Sequence, residues 1–328
     1  MTTTSPTAVS DLEVLLAPGD LRGALERDAH TGLTAAPKWL PSKYFYDDAG
    51  SVLFEEITRL PEYYPTRTEQ ALLTSVTGEI ARAAGADVLV ELGSGSSEKT
   101  RLLLDAMAEA GGLAAYVPVD VSAGALRAAL PQLRRSHPDL PVHGVVADFD
   151  HHLDRLPVYG RRLVALLGST LGNYPPTARA AFLAELATGL QGGETLLLGL
   201  DLVKEPARLV AAYDDEAGVT AEFNRNVLHM LNRELGADFD PESFAHVALW
   251  DPVTEWIEMR LRALAPMVVT IPVLSLTIRF TEGEDLRTEI SAKFRHERIA
   301  QELAAAGLRL ERWWTDPAGD YALALARR

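Results

Sequence analysis

Residues 88–100 read VLVELGSGSSEKT, and this run limits the fold more than any other part of the chain. An apolar, β-branched stretch ends in an acidic residue. Gly93-Ser94-Gly95 follow, and then a helical pattern, TRLLLDAM, opens. This is the strand, glycine turn and helix start of a nucleotide-cofactor fold. Glycines permit positive φ and let a ligand come close to the backbone. The dinucleotide fingerprint would need a third small residue where Glu98 stands, and a pyrophosphate there would meet a carboxylate. An acidic strand end with two glycines suits a cationic cofactor better.

The stretches that follow continue the pattern. YVPVDVS ends in Asp120, 25 residues beyond Gly95, near the spacing at which a second strand offers a carboxylate to a ribose. HGVVAD ends in Asp148-Phe149, a pair suited to an adenine amino group and ring. RLVALLGST ends in a small-residue turn before Asn173. Open α/β sheets bind ligands at such strand ends. The E-x-G-x-G start and the ordered series resemble the S-adenosylmethionine (SAM) methyltransferases.

The chain has 328 residues, enough for two domains or one core with a large insertion. It contains no cysteine, which excludes disulfides, thiolate metal sites and a cysteine nucleophile. A net charge of −15 argues against a nucleic-acid substrate. No apolar run is long enough to span a membrane, and MTTTSPTAVSD is not a secretory signal. The expectation is a cytoplasmic monomer acting on a small molecule, with neither nucleic acid nor membrane as partner. His151-His152 lacks a surrounding ligand cluster, so it reads as a solvated loop pair, and no metal is expected.

Strand and helix patterns alternate from residue 87 to about 203, which predicts a parallel, doubly wound sheet. Thr68 reads as the cap of the helix before the first strand. Residues 205–235 are helical, and meandering strands follow to about 293. A last helix and two strands then complete the sheet. The expected division is a Rossmann-like α/β methyltransferase core, residues 68–203 plus 294–328. A substrate-recognition lobe would use residues 12–67 plus 204–293, with 1–11 as a disordered lead.

LTAAPKWLPSKYFYD, ITRLPEYYPTRTE, VELGSGSSEKTRLLLDAM, LLGSTLGN, GLDLVKEPARLVAAYDDEAGVTAEFNRNVL, EISAKFR and WWTDPAGDYALALA together resemble the histidine N-α-methyltransferases of ergothioneine biosynthesis. The likeness covers nearly the whole chain. It implies SAM-dependent trimethylation of free L-histidine to hercynine. It also implies cofactor contacts at Gly93, Lys99, Asp120, Asp148 and Phe149, with Tyr46 and the Gly168 carbonyl near the reacting amine. Tyr63, Met259, Glu289 and Ser291 would face the imidazole, and Asn173 and Tyr213 the carboxylate. Two other readings stand beside this one: an N-α-methyltransferase for a tryptophan derivative, and a non-catalytic SAM-binding regulator.

Overall fold

The computed structural model describes residues 12–17, 19–95, 99–158 and 160–328. The expected lead, 1–11, and Glu98 lie outside them. The first described elements are β1 (Leu12–Val14), α1 (Asp20–Thr34), β2 (Lys38–Trp39), α2 (Asp48–Ile57) and α3 (Pro65–Ala84). The alternating section then runs β3 (Val88–Leu92), α4 (Thr100–Glu109), β4 (Ala115–Asp120), α5 (Ala123–Ser136), β5 (Gly144–Val146), β6 (Arg162–Leu166), α6 (Pro176–Gly189) and β7 (Thr195–Asp201). Beyond it come α7 (Pro206–Ala211), α8 (Val219–Leu235) and the strands β8 (Phe244–Asp251), β9 (Trp256–Ala263), β10 (Met267–Ile271), β11 (Leu276–Phe280) and β12 (Asp285–Ala292). The chain closes with α9 (His296–Ala305), β13 (Arg309–Thr315) and β14 (Tyr321–Arg327).

Among the described residues the main sheet has eight strands in the order β1-β5-β4-β3-β6-β7-β14-β13. Pairing is parallel from β1 to β7, and β14 enters antiparallel between β7 and β13. Every residue of β3, β6 and β7 is buried, as sheets covered on both faces require. Alternation along β3 explains the two cores. Val88, Val90 and Leu92 face α6 and α9 through Phe182, Leu183, Ile299 and Leu303. Leu89 faces α3 and α4 through Leu73, Ile80, Leu103 and Leu104. This is the doubly wound core expected from the sequence.

Two local expectations are corrected. Residues 12–14 were assigned to the second lobe, yet β1 pairs with β5 and extends the main sheet. A strand of three residues leaves no periodicity to read, and what places it is the otherwise open β5 edge. Thr68 is not a cap. The helix begins at Pro65, whose fixed φ suits a first helical position. The Thr68 hydroxyl donates back to the Tyr64 carbonyl at 3.0 Å.

The chain leaves the core after Asp201 and returns at Phe294, and these two points are neighbours. The Phe294 N–H donates to the Asp201 carbonyl at 2.8 Å, and the Val203 N–H to the Phe294 carbonyl at 3.1 Å. Between them lie a sheet ordered β2-β12-β9-β8 and the β10–β11 hairpin. Strand β2, from the N-terminal segment, pairs parallel with β12. One apolar cluster joins Leu25, Leu33, Leu40, Phe45 and Ile57 of that segment to Phe223, Leu228, Phe244, Leu261 and Leu286 of the insertion. No helix among the described residues is long and apolar enough to cross a membrane.

Gly199 shows how closely core and site are packed. A Cβ there would lie 2.0 Å from Glu69 Oε1 and 2.9 Å from the Tyr321 hydroxyl. Gly199→Ala should therefore destabilise the protein by about 1–3 kcal/mol. Urea unfolding monitored by circular dichroism reads this, and a midpoint equal to the parent's would show that Glu69 can move aside.

Candidate active site

The carboxyl ends of the parallel strands meet the second lobe, and the site lies along that seam. Gly93 and Gly95 take φ of 71° and 48° at the end of β3. The Gly95 N–H donates to Asp120 Oδ2 at 2.9 Å, and the Ser122 N–H to Asp120 Oδ1 at 2.9 Å. Asp120 thus ties the glycine turn to the start of α5 and keeps lone pairs on both oxygens. Burial pushes its carboxyl above the ordinary range, against the pull of those backbone donors. Phe149 covers the turn: a side chain on Gly93 would stand 3.8 Å from its ring. Asp148 is buried, accepts the Asp150 N–H at 2.9 Å and faces the Lys43 ammonium at 3.7 Å.

Two acidic groups here work inward. Glu91, the acidic end of the first strand, accepts the Thr100 and Tyr116 hydroxyls, each at 2.6 Å. Burial raises its carboxyl to about 7. Its role is to brace the strand end, so the sequence inference that it suits a cationic cofactor does not hold for Glu91. Glu69, fully buried, is the ion-pair partner of Lys99. It also accepts the Gly168 N–H at 2.8 Å and the Tyr321 hydroxyl at 2.9 Å. Gly168 and Ser169 both have left-handed backbone, with φ of 71° and 58°. The Lys99 ammonium lies 3.9 Å from where a Gly168 Cβ would be.

On the other side of the seam is an aromatic wall. Tyr46 packs edge-on against Phe54 and Phe223, with centroids 5.4 and 5.6 Å away. Phe54 meets Tyr63 at 6.1 Å, and Tyr63 meets Tyr213 at 6.2 Å. Strand β12 supplies the polar floor. Glu289 and Ser291 alternate with Ile290 and Ala292, so they share a face, and Lys293 continues it just past the strand. Buried Met259 stands directly opposite Glu289 in the β9–β12 ladder. The turn 170–173 lies against this strand: a Cβ on Gly172 would be 2.8 Å from the Ala292 carbonyl oxygen. That brings Asn173 to the same corner.

The polar groups on this side of the seam divide into two sets. The Tyr213 hydroxyl and Ser291 Oγ are bonded to each other at 2.8 Å. Tyr46, Tyr63, Asn173 and Glu289 have no side-chain hydrogen bond to another described residue. Burial raises the Glu289 carboxyl to about 7 against the lowering influence of Lys293. Burial, and then the Glu289 charge, hold the Tyr46 phenol far above its usual range. The Asp120 charge acts on Tyr46 in the same direction, so this phenol feels both halves of the seam.

All thirteen residues singled out from the sequence lie along this seam. Sequence reasoning missed Glu69, Asp201, Lys204 and Lys293. Lys293 carried a signal, since Glu289, Ser291 and Lys293 are polar at every second position of a strand. Glu69 gave none, because its partners are distant in the chain; Asp201 and Lys204 pair within three residues, but no local pattern marks that pair as part of a site. His152 is also buried, its Nδ1 2.9 Å from the Asp148 carbonyl oxygen, and is not the solvated residue expected. No cluster of metal-ligating side chains occurs among the described residues.

Residues 25–328 match a family described as histidine-specific methyltransferase, SAM-dependent. The chain is 56% identical over 313 residues to a histidine N-alpha-methyltransferase of Mycolicibacterium smegmatis, covering 95% of this chain and 98% of that one. It is 53% identical to a histidine N-alpha-methyltransferase of Mycobacterium tuberculosis, covering 93% and 95%. It is 31% identical to ergothioneine biosynthesis protein 1 of Neurospora crassa, over 73% of this chain and 30% of that longer protein.

The Glu289 carboxyl rises from 4.5 to about 7 on folding. The folded protein therefore binds more protons than the unfolded chain between those values, and stability from this group falls as pH rises through that window. Glu289→Gln keeps the shape without the charge. It should melt above the parent at pH 8, and the advantage should disappear near pH 4. A melting difference independent of pH would show that Glu289 is not the strained group.

Proposed function

The chain belongs to the histidine-specific, SAM-dependent methyltransferase family, and from this premise we propose that it methylates the α-amino nitrogen of free L-histidine three times. The product would be hercynine, and the reaction the first step of ergothioneine biosynthesis. The observation that carries the proposal is the set of unpartnered polar groups beside one aromatic wall. Glu289, Asn173, Tyr46 and Tyr63 have no side-chain hydrogen bond to another described residue. Polar groups set beside an aromatic wall and left without protein partners are open to a ligand, so such a set is a recognition surface. It has an acceptor for an imidazole N–H, an amide for a carboxylate, and phenols between them.

The cofactor side fits SAM. The left-handed glycine turn admits close approach, and Asp120 retains lone pairs for two ribose hydroxyls. Phe149 offers a ring to an adenine, and Asp148 an acceptor for its amino group. When bound, SAM supplies a methyl group on a cationic sulfonium, a good leaving group.

The protein's own tasks are alignment and exclusion of water. Glu289 accepts the imidazole N–H and so selects a tautomer, while Ser291 stands beside the ring on the same strand face and Met259 lines it. Tyr63 covers the imidazole from the aromatic wall. Asn173 and Tyr213 hold the carboxylate. Tyr46 orients the amine through its hydroxyl, and burial and the Glu289 charge hold that phenol above its usual range in the protein alone. As methyl groups replace N–H donors, the cationic nitrogen is held by aromatic faces and the Gly168 carbonyl.

The test is incubation of the purified protein with SAM and each amino acid separately, read by mass. Three methyl additions to histidine alone are expected, with histidine methyl ester a poor substrate. Glu289→Ala should weaken histidine by roughly tenfold or more, the consequence of an unpaired buried donor. It should leave S-adenosylhomocysteine affinity unchanged. Preference for a tryptophan derivative, or binding of the cofactor without turnover of any acceptor, would overturn the proposal.

A further inference from the structure

Neither residue assigned to the substrate carboxylate, Asn173 or Tyr213, is cationic, yet a cation stands one hydrogen bond behind Tyr213. Lys293 is fully buried. Its ammonium lies 2.9 Å from the Tyr213 hydroxyl, 2.9 Å from Ser291 Oγ and 2.9 Å from Asp201 Oδ2. An ammonium has three N–H donors and no acceptor, so these partners use all three. No donor of Lys293 remains for a substrate.

This constrains the hydroxyls. Both oxygens must accept from Lys293, and they also share one hydrogen bond with each other. Two hydroxyl groups have two hydrogens, and one is spent in that mutual bond. One is left, on Tyr213 or on Ser291, and no other described residue takes it. An oxygen already accepting from an ammonium is a polarised, stronger donor. The surrounding charge agrees. Asp201 is shared by the ammonium groups of Lys293 and Lys204, and the three groups together keep one positive charge. A buried site with that balance is complementary to one anion.

Building on the proposed function, we infer that Lys293 is the positioning residue for the substrate carboxylate: it acts through Tyr213 and Ser291, fixing both oxygens as acceptors so that a single polarised hydroxyl hydrogen is presented to the anion. The positive charge is delivered without a cationic side chain in the cavity, where it would repel a sulfonium. Lys293 touches neither substrate nor reacting atoms. The same lysine also lowers the Glu289 carboxyl from across the cavity, so one buried cation influences both ends of an amino acid.

The test is calorimetric titration of histidine, and separately of histamine, into protein saturated with S-adenosylhomocysteine. The proteins are the parent, Lys293→Met, Tyr213→Phe and the double variant. Histamine has the imidazole and amine without the carboxylate. Lys293→Met should weaken histidine by roughly tenfold, the scale of one charge-assisted hydrogen bond. It should weaken histamine less than histidine, only through Glu289 at the imidazole end, leave S-adenosylhomocysteine affinity unchanged, and in the Tyr213→Phe background add little. If Lys293→Met alone does not fold, Lys293→Met with Asp201→Asn removes both members of the pair and should give the same selective loss. Equal weakening of histidine and histamine, unchanged histidine affinity in a folded variant, or full additivity with Tyr213→Phe would overturn the inference. A parent that does not bind histidine would overturn the proposed function itself, so the two failures are distinguishable.

Discussion

The structure is organised around one carboxylate. Asp201 ends β7, is 1% exposed, and accepts from the Tyr64 hydroxyl at 2.8 and 2.9 Å, from Lys204 and from Lys293. Burial alone would raise its carboxyl, but the two ammonium groups hold it below the ordinary range. A buried ion pair adds little net stability over an apolar substitute, but losing one partner is costly. What the arrangement secures is position. Tyr64 precedes α3 where the chain enters the core, residues 201–204 are where it leaves, and Lys293 is where it returns. Three passages between core and lobe thus converge on one side chain.

Legibility in the sequence followed the range of the interaction. The glycine turn, the acidic end of β4 and the alternation of Glu289 with Ser291 are local features, and each could be read from a few neighbouring letters. The helix start at Pro65 was legible too, and Thr68 drew attention from it because a hydroxyl can cap or bond backward to a carbonyl. Glu91, Lys99 and β1 depend on partners far along the chain. The Glu91 carboxylate turns inward because Tyr116 and Thr100 offer hydroxyls there. Lys99 finds Glu69, thirty residues earlier, on the neighbouring helix. No window of sequence contains both members of such pairs.

Along the seam Tyr46, Tyr63, Asn173 and Glu289 leave polar atoms open to a ligand, where recognition is needed. Buried cations of the core are instead paired within the protein: Arg162 is bound by Glu194, and Arg179 by Glu302. Glu289 keeps a carboxyl near 7 with no donor among the described residues, a state that favours the unliganded protein only below that pH. Stability given up at Glu289 is recovered when a ligand supplies the missing donor.

The convergence of crossings at Asp201 also has a mechanical meaning. Two bodies joined by strands that pass through one point can rotate about that point without breaking the joint. Any rocking of the lobe therefore has its fulcrum beside Tyr213 and Ser291. The lever arm is short at that end of the seam, so small rotations would hardly shift the end of a ligand anchored there.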